Sequence, residues 1–207
     1  MRFPEIPGLT SSSARSTSGG RAVGPEVFPR DGRLVQTPGM TSLNPFLEAF
    51  GADGPDPALA ERLTLFGQFV GSWDLDVTNH DDDGNGVTVP GEWHFGWALA
   101  GRAVGDVWIC PRRSAQTGAG AEHGASIRFF DESIDAWRST WIGPVRAIVR
   151  PFVARPTDEG IALEGTFDGL AMRWVFSDIT TTSFRWRNEE RRGDRWHLNQ
   201  TFAATRA

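Results

Sequence analysis

From Trp73 onward, apolar and polar residues alternate with a period of two, the pattern of strands that bury one face. Short turn-forming stretches, such as Ala100-Gly101 and Gly193-Asp194, separate the segments that show it. Ten segments do so: 73–78, 92–99, 102–109, 125–130, 136–142, 145–153, 160–166, 171–177, 183–189 and 195–203. Consecutive hairpins predict an up-and-down meander, and closure would remove its exposed edges. The predicted fold class is therefore all-β, a closed antiparallel up-and-down β-barrel of about ten strands.

A short helix is predicted just before the first strand. Asp56 suits the N-cap, and Pro57 suits the first helical position, where its missing N–H would lack a partner anyway. One apolar stripe follows at positions i, i+4 and i+7, formed by Leu59, Leu63 and Phe66. Since a helix with one apolar face must cover something, we expect it to cap an open end of the barrel.

Residues 1–55 differ in composition from residues 56–207, which we assign to the barrel domain. The first segment is rich in Ser, Gly and Pro and shows no periodicity, so it is predicted to be an extended or disordered arm. Its few large apolar side chains leave a second role open, packing across the barrel or against a second subunit of a homodimer. They are Phe28, Leu34, Met40, Phe46, Leu47 and Phe50.

Charge and cysteine content narrow the range of partners. The net charge is -5 and the pI is near 5.4, so nothing favours a nucleic acid or an acidic membrane surface. A single cysteine, Cys110, rules out an internal disulfide and gives no sign of an oxidising compartment. We find no signal peptide or membrane segment, and a cytoplasmic location is expected.

The first hairpin turn fixes which residues face inward. A two-residue turn at Ala100-Gly101 pairs Trp97 with Val104, Phe95 with Asp106, and Trp93 with Trp108. The apolar members of these pairs share one face, which we take as the inner wall.

Two further hairpins extend the assignment. With residues 131–135 as a loop, Phe129 pairs with Trp137 and Ile127 pairs with Ser139. The same register places Arg128 opposite Arg138. Both arginines are predicted to point outward into water, because like charges repel across a ladder. The turn at 180–182 places Trp174 opposite Trp186. By this parity all nine tryptophans, including Trp196, face the lumen.

A ten-stranded barrel is wider than one whose lumen side chains can fill, so it should contain a cavity. Indole rings are large and rigid and suit a pocket for a flat or apolar guest, although they could also fill the lumen as core. The polar Ser139, Asn188 and Gln200 could orient a ligand or be ordinary core groups. The predicted ligand-binding residues are Trp93, Phe95, Trp97, Trp108, Phe129, Trp137, Ser139, Trp141, Trp174, Trp186, Asn188 and Gln200.

The start of the first strand resembles a known superfamily. Gly71-Ser72-Trp73 is similar to the Gly-x-Trp opening of the calycins, which include lipocalins, fatty-acid-binding proteins and nitrobindins. More closely, the chain from about residue 60 to 205 resembles an uncharacterised bacterial group of lipocalin-like barrels. The matching segments are Leu65-Phe66-Gly67, Leu99-x-Gly101-Arg102, Arg128-Phe129-Phe130-Asp131 and Trp137-x-x-x-Trp141-Ile142.

None of these motifs is catalytic. The resemblance implies a calycin-like barrel that binds a small molecule, with occasional enzymes of hydratase, decarboxylase or cyclase type. Nitrobindins carry haem on a strand histidine, and His197 lies in a comparable stretch. If Trp196 points inward, however, His197 points outward, which argues against haem.

Candidate chemistry depends on one buried carboxylate. Asp106 is predicted to lie among Phe95 and tryptophans, where burial would raise its pKa and suit it to general acid or base catalysis. A structural role is the alternative, in which Asp106 accepts a hydrogen bond from an indole N–H or from an arginine that reaches inward. A three-residue turn at Ala100-Gly101 would shift the register and bring His94 towards Asp106, so His94 is the second catalytic candidate.

No metal or cofactor is predicted. Asp81-x-Asp83-x-Asn85-Gly86, with Glu92 further on, matches the letters of a calcium loop, but strands flank it instead of helices. A hairpin turn explains the same residues. Three hypotheses remain: a cofactor-independent enzyme of cyclase, isomerase or hydro-lyase type that uses Asp106; a non-catalytic carrier of a small apolar or aromatic molecule; and a structural module with a filled lumen.

Overall fold

The computed structural model describes residues 44–116 and 121–207, and the chain there folds as a closed barrel. It opens with helix α1 (Pro45–Phe50), strand β1 (Gly51–Ala52) and helix α2 (Ala60–Gly67). The barrel strands are β2 (Gly71–His80), β3 (Gly86–Ala98), β4 (Ala103–Cys110), β5 (Glu122–Asp131), β6 (Ala136–Gly143), β7 (Ile148–Thr157), β8 (Gly160–Phe167), β9 (Leu170–Ser177), β10 (Ser183–Arg192) and β11 (Arg195–Arg206).

Every neighbouring pair of barrel strands is antiparallel, and each strand pairs with the next along the chain. Pairing of β11 with β2 closes the sheet. The predicted fold class is thus confirmed, with all ten predicted strands present. Among the described helices, none has the length and apolar character needed to cross a lipid bilayer.

Helix α1 and strand β1 lie before the predicted start of the barrel domain. Strand β1 pairs with the end of β3, and the N–H of Leu99 donates to the carbonyl of Phe50 at 2.9 Å. The Phe50 ring lies over Gly105 on the outer wall, whereas Phe46 and Leu47 are exposed. Phe28, Leu34 and Met40 of the predicted arm lie outside the described residues.

Helix α2 begins at Ala60, later than predicted. The Asp56 carboxylate accepts the N–H of Ala58 at 2.9 Å and pairs with Arg102 at 2.7 Å, so it caps a turn ahead of the helix. Leu63 and Phe66 are fully buried, as the apolar stripe requires. Phe66 packs edge-on against Trp137 at 4.9 Å between ring centroids. The helix therefore covers one end of the lumen, and aromatic rings fill that end.

The register of the β5–β6 hairpin differs from the prediction by one residue. Strand β5 runs on to Asp131, which pairs with Ala136, and Asp135 adopts a left-handed conformation in the shorter loop. Arg128 therefore lies opposite Ser139 and faces inward with no exposed surface, so the predicted outward position was wrong. Phe129 moves to the outer face, where it is 43% exposed.

The last two hairpins also carry register changes. Trp186 pairs with Phe176, and Trp174 pairs with Asn188, a shift of two residues that leaves both indoles inside as predicted. Strand β11 has one extra residue, Asn199, opposite the Asn188–Glu189 step of β10. This bulge reverses the alternation. Trp196 consequently stacks on the guanidinium of Arg173 on the outer wall, at 4.3 Å, and its predicted inward position was wrong.

Candidate functional site

The lumen contains a cavity of about 200 Å³ at the end opposite helix α2. Its apolar wall is formed by buried or half-buried rings and one aliphatic side chain, and its rim is polar and charged. The apolar residues are Trp93, Trp108, Trp141, Ile148, Trp174, Trp186 and Phe202. The polar residues are Asn79, Glu122, Arg146, Arg150, Asn188, Asn199 and Gln200. The barrel is thus packed solid at the helix end and hollow at the other.

Five aromatic residues on the cavity wall form a closed circuit of neighbouring rings. Trp186 stacks on Phe202 at 4.2 Å and 14° between ring planes, and Phe202 stacks on Trp108 at 5.8 Å and 17°. Trp108 contacts Trp141 at 6.0 Å, Trp141 contacts Trp174 at 5.9 Å, and Trp174 contacts Trp186 at 5.3 Å. We call these five residues the aromatic circuit. Because each ring is held by two others, the wall is rigid and offers ring faces and edges to a guest.

Trp141 reaches its place in the circuit by crossing a glycine. A Cβ on Gly124 would lie 1.9 Å from the indole of Trp141. Gly124 pairs with Trp108 on β4, so the glycine lets two indoles from different strands approach each other. A side chain at this position would force the Trp141 ring to move.

Three members of the aromatic circuit carry indole N–H groups that are buried without a partner. No described residue accepts a hydrogen bond from Nε1 of Trp108, Trp174 or Trp186, although the three side chains are at most 6% exposed. The amide oxygen of Asn188 is likewise buried without a donor. Unpaired buried atoms also occur beside Asp106 at the packed end, on Ser126, Arg128 and Ser139, so they are not confined to the cavity wall.

The rim carries more positive than negative charge. Arg146 pairs with Glu122 at 3.0 Å. Arg150 has no carboxylate within 4.0 Å among the described residues. Its Nη1 lies 3.5 Å from the sulfur of Met172, and its guanidinium lies 5.4 Å from the centroid of the Phe167 ring. Burial lowers the pKa of Arg150 below its ordinary value. A partly desolvated guanidinium thus borders the cavity.

The predicted ligand-binding residues divide into two groups. Those that line the cavity are Trp93, Trp108, Trp141, Trp174, Trp186, Asn188 and Gln200. The other five do not line it: Phe95 and Trp137 pack at the helix end, Trp97 lies against Gly67 of α2, Ser139 is buried beside Arg128, and Phe129 is on the outer wall. Most of the predicted residues thus face the lumen, but the sequence did not indicate how far along the barrel axis each one lies.

Asp106 is buried at the packed end, and both carboxylate oxygens are engaged. Oδ1 accepts the indole N–H of Trp93 at 2.7 Å, and Oδ2 accepts from Nη1 of Arg128. Both charged side chains have no exposed surface, and the Arg128 guanidinium also lies 5.1 Å from the centroid of the Phe66 ring. Asp106 does not line the cavity. These are the contacts expected if Asp106 has a structural role, in which it accepts from an indole N–H or from an arginine that reaches inward.

His94 is not brought to Asp106. The turn keeps Trp97 opposite Val104 and Phe95 opposite Asp106, as predicted, so His94 falls on the outer wall. There its Nδ1 lies 2.9 Å from the Ser72 hydroxyl and its Nε2 lies 3.3 Å from Glu92. The shifted register that would have joined His94 to Asp106 was wrong.

Glu92 makes this outer cluster sensitive to acid. Hydrogen bonds from the Arg113 side chain, which contacts Glu92 at 2.7 Å, hold the pKa of Glu92 at about 2, below its ordinary value of 4.5. A depressed carboxylate pKa stabilises the fold above pH 4.5, and that contribution is lost as the pH falls through about 2. Since the Arg113 side chain is 63% exposed, solvent screens the pair and the contribution is small.

We therefore predict that Arg113→Gln lowers the free energy of unfolding slightly at pH 7, since solvent screens this ion pair. The difference from the wild type should shrink between pH 4.5 and about 2, where Glu92 becomes protonated in both proteins. Urea titrations followed by circular dichroism at several pH values would measure it. A difference that stays constant down to pH 2 would contradict the ion-pair origin.

The side chains of the described residues do not fit a metal ion or a haem. The described residues contain no group of three or more His, Cys, Asp or Glu side chains placed to hold a metal ion. In the calcium-like segment, Asp81 accepts backbone N–H groups of its own turn, and Glu92 is engaged with Arg113. The cavity lining includes no histidine, cysteine or methionine among the described residues, so it does not fit a haem iron. Because Trp196 faces outward, His197 shares the inner face with Glu190, so its predicted outward position was wrong, but it does not line the cavity.

Half of the cavity lining was missed from the sequence. The missed residues are Asn79, Glu122, Arg146, Ile148, Arg150, Asn199 and Phe202. The alternation within β7 could have found two of them, because Ile148 and Arg150 lie on the same face of the strand as the buried Phe152 and Ala154. An arginine on the inner face of an apolar strand was a usable signal.

Comparison with known proteins gives the following. No protein-family model matches the chain, and no curated protein matches it. Among solved structures, the barrel is similar to an S-type phycobiliprotein lyase from Guillardia theta, with a TM-score of 0.47, 12% identity, and coverage of 69% of this chain and 90% of that one.

Proposed function

We propose that this barrel is a non-catalytic binding protein for a small aromatic or apolar molecule, held in the cavity against the aromatic circuit. The observation that carries the proposal is a cavity of about 200 Å³ whose wall is the aromatic circuit. Large aromatic rings bury much apolar area and favour stacking or edge contacts with another ring. A flat apolar molecule would supply that partner.

The cavity volume limits the size of the guest. A cavity of ~150 Å³ accepts benzene, so about 200 Å³ suits a molecule of one or two rings. Long acyl chains and large tetrapyrroles exceed this space.

An enzymatic role for Asp106 is less well supported by the contacts. A general acid or base must lie within hydrogen-bond reach of the atom that exchanges the proton. Asp106 is engaged by Trp93 and Arg128 at the packed end, and it does not border the cavity. Proton transfer by Asp106, with or without His94, remains a prediction from the sequence.

Blocking the cavity tests the proposal. In Ile148→Trp an indole replaces a lining side chain, whereas in the adjacent Val149→Trp the same side chain is placed on the outer wall, where Val149 is 64% exposed. We expect the wild type and Val149→Trp to bind a naphthalene-sized probe, such as 2-naphthamide or 2-naphthoate, in calorimetric titrations. Ile148→Trp should lose about fivefold to 150-fold in affinity, because overpacking typically costs about 1–3 kcal/mol.

Two results would overturn the proposal. One is that neither probe binds the wild-type protein. The other is that Ile148→Trp and Val149→Trp bind equally well, which would place the bound probe outside the cavity.

A further inference from the structure

We infer that the natural ligand carries an anionic group, such as a carboxylate, which Arg150 binds at the cavity rim while the ring system lies on the aromatic circuit. This inference rests on the proposed function and specifies the chemical class of the ligand.

The state of Arg150 is the first observation. It lies on the inner face of β7, two residues before the buried Phe152, and its guanidinium is flanked by Phe167 and Met172. Guanidinium groups removed from water normally pair with a carboxylate or phosphate. Within the described residues Arg150 has no such partner within 4.0 Å, so a ligand anion would complete its coordination.

The charge balance of the lining is the second observation. The cavity is bordered by Arg146, Arg150 and Glu122, and Glu122 is already paired with Arg146. Two cations against one carboxylate leave one positive charge in excess. Glu190, Asp168 and Glu122 also act on Arg150 electrostatically, but none of the three lies within 4.0 Å of its guanidinium.

The aromatic wall does not by itself decide the sign of the ligand's charge. Ring faces would also suit a cation, but the two arginines that border the cavity oppose one.

Three probes with the same ring system separate these ligand classes. 2-Naphthoate is anionic, 2-naphthamide is neutral and of nearly the same shape, and 2-naphthylmethylamine is cationic. We expect the wild type to bind the naphthoate about tenfold or more tightly than the amide, as a charge-assisted hydrogen bond predicts. The amine should bind more weakly than the amide.

The variant test compares Arg150→Gln with Arg155→Gln. Arg155 lies on the same strand, exposed on the outer wall. Arg150→Gln should remove the preference for the naphthoate and leave the affinity for the amide within about threefold. Arg155→Gln should retain the preference.

The outcomes distinguish the two proposals. If the wild type binds naphthoate and amide equally, or if Arg150→Gln keeps the preference, the anionic class is wrong while the binding function stands. Tighter binding of the amine would likewise overturn it in favour of a cationic ligand. If no probe binds, both proposals fail.

Discussion

Replacing Arg128 with methionine is expected to lower the free energy of unfolding by about 3–5 kcal/mol, the cost of leaving one charge of a buried pair without its partner. Arg128 and Asp106 have no exposed side-chain surface, so water cannot solvate the remaining carboxylate. Chemical denaturation at pH 7 would measure the loss.

A double variant distinguishes pairing from simple packing. In Asp106→Asn/Arg128→Met the amide oxygen can still accept the Trp93 N–H, and no charge remains. We expect it to recover roughly half or more of the stability lost by Arg128→Met, because neutral replacement of a buried pair is often tolerated. Arg155→Met, on the exposed outer wall, should change stability by less than about 0.5 kcal/mol. A double variant less stable than Arg128→Met would contradict the argument.

Replacing Phe66 with alanine is expected to lower the free energy of unfolding by about 3–5 kcal/mol. Phe66 is fully buried and contacts Trp137 at 4.9 Å, Phe176 at 6.0 Å and the Arg128 guanidinium at 5.1 Å, all measured from the ring centroid. Its loss would leave a cavity beneath α2. Differential scanning calorimetry and urea titration would both report the change.

The matched control is Thr64→Ala, two residues away on the exposed face of α2. It should have little effect, since alanine favours helix and the lost side-chain bond to Glu61 is local. Because Phe66 lies at the end away from the cavity, Phe66→Ala should still bind the naphthyl probes under conditions where it is folded. A loss of probe binding in the folded variant would show that the two ends are coupled.

Much of the barrel could be predicted because strand alternation is a local property. Any segment with one buried face shows it, and the turn at Ala100-Gly101 set the register of β3 and β4 correctly. The pairing of Asp106 with Phe95 followed from it.

The ion pair at Arg128 could not be predicted by the same reasoning. A loop one residue shorter reverses the faces of a whole strand, and the sequence does not distinguish a five-residue from a four-residue connection at 131–135. The repulsion between Arg128 and Arg138 favoured the wrong choice. The need of a buried Asp106 for a counter-charge was the stronger constraint, because desolvating a lone carboxylate costs more than a surface repulsion.

The bulge at Asn199 was hidden for a similar reason. The extra residue Asn199 reverses the inward or outward direction only of the β11 residues that precede it. Phe202 therefore faces inward as the alternation requires, whereas Trp196 faces outward. Apolarity suggested the opposite for Trp196, but an indole can also be satisfied by stacking on an arginine. The depth of each lining residue depends on strand stagger, which no single strand reveals.

The division of the lumen into a packed and a hollow half has an evolutionary consequence. The aromatic residues that border the cavity belong to the same buried cluster as Leu63 and Phe66 of α2, whereas the polar rim residues Asn79, Arg146 and Gln200 do not. Substitutions at the polar rim can therefore alter selectivity with little loss of the domain's stability. Such a scaffold is free to diversify its guests while its architecture stays constant.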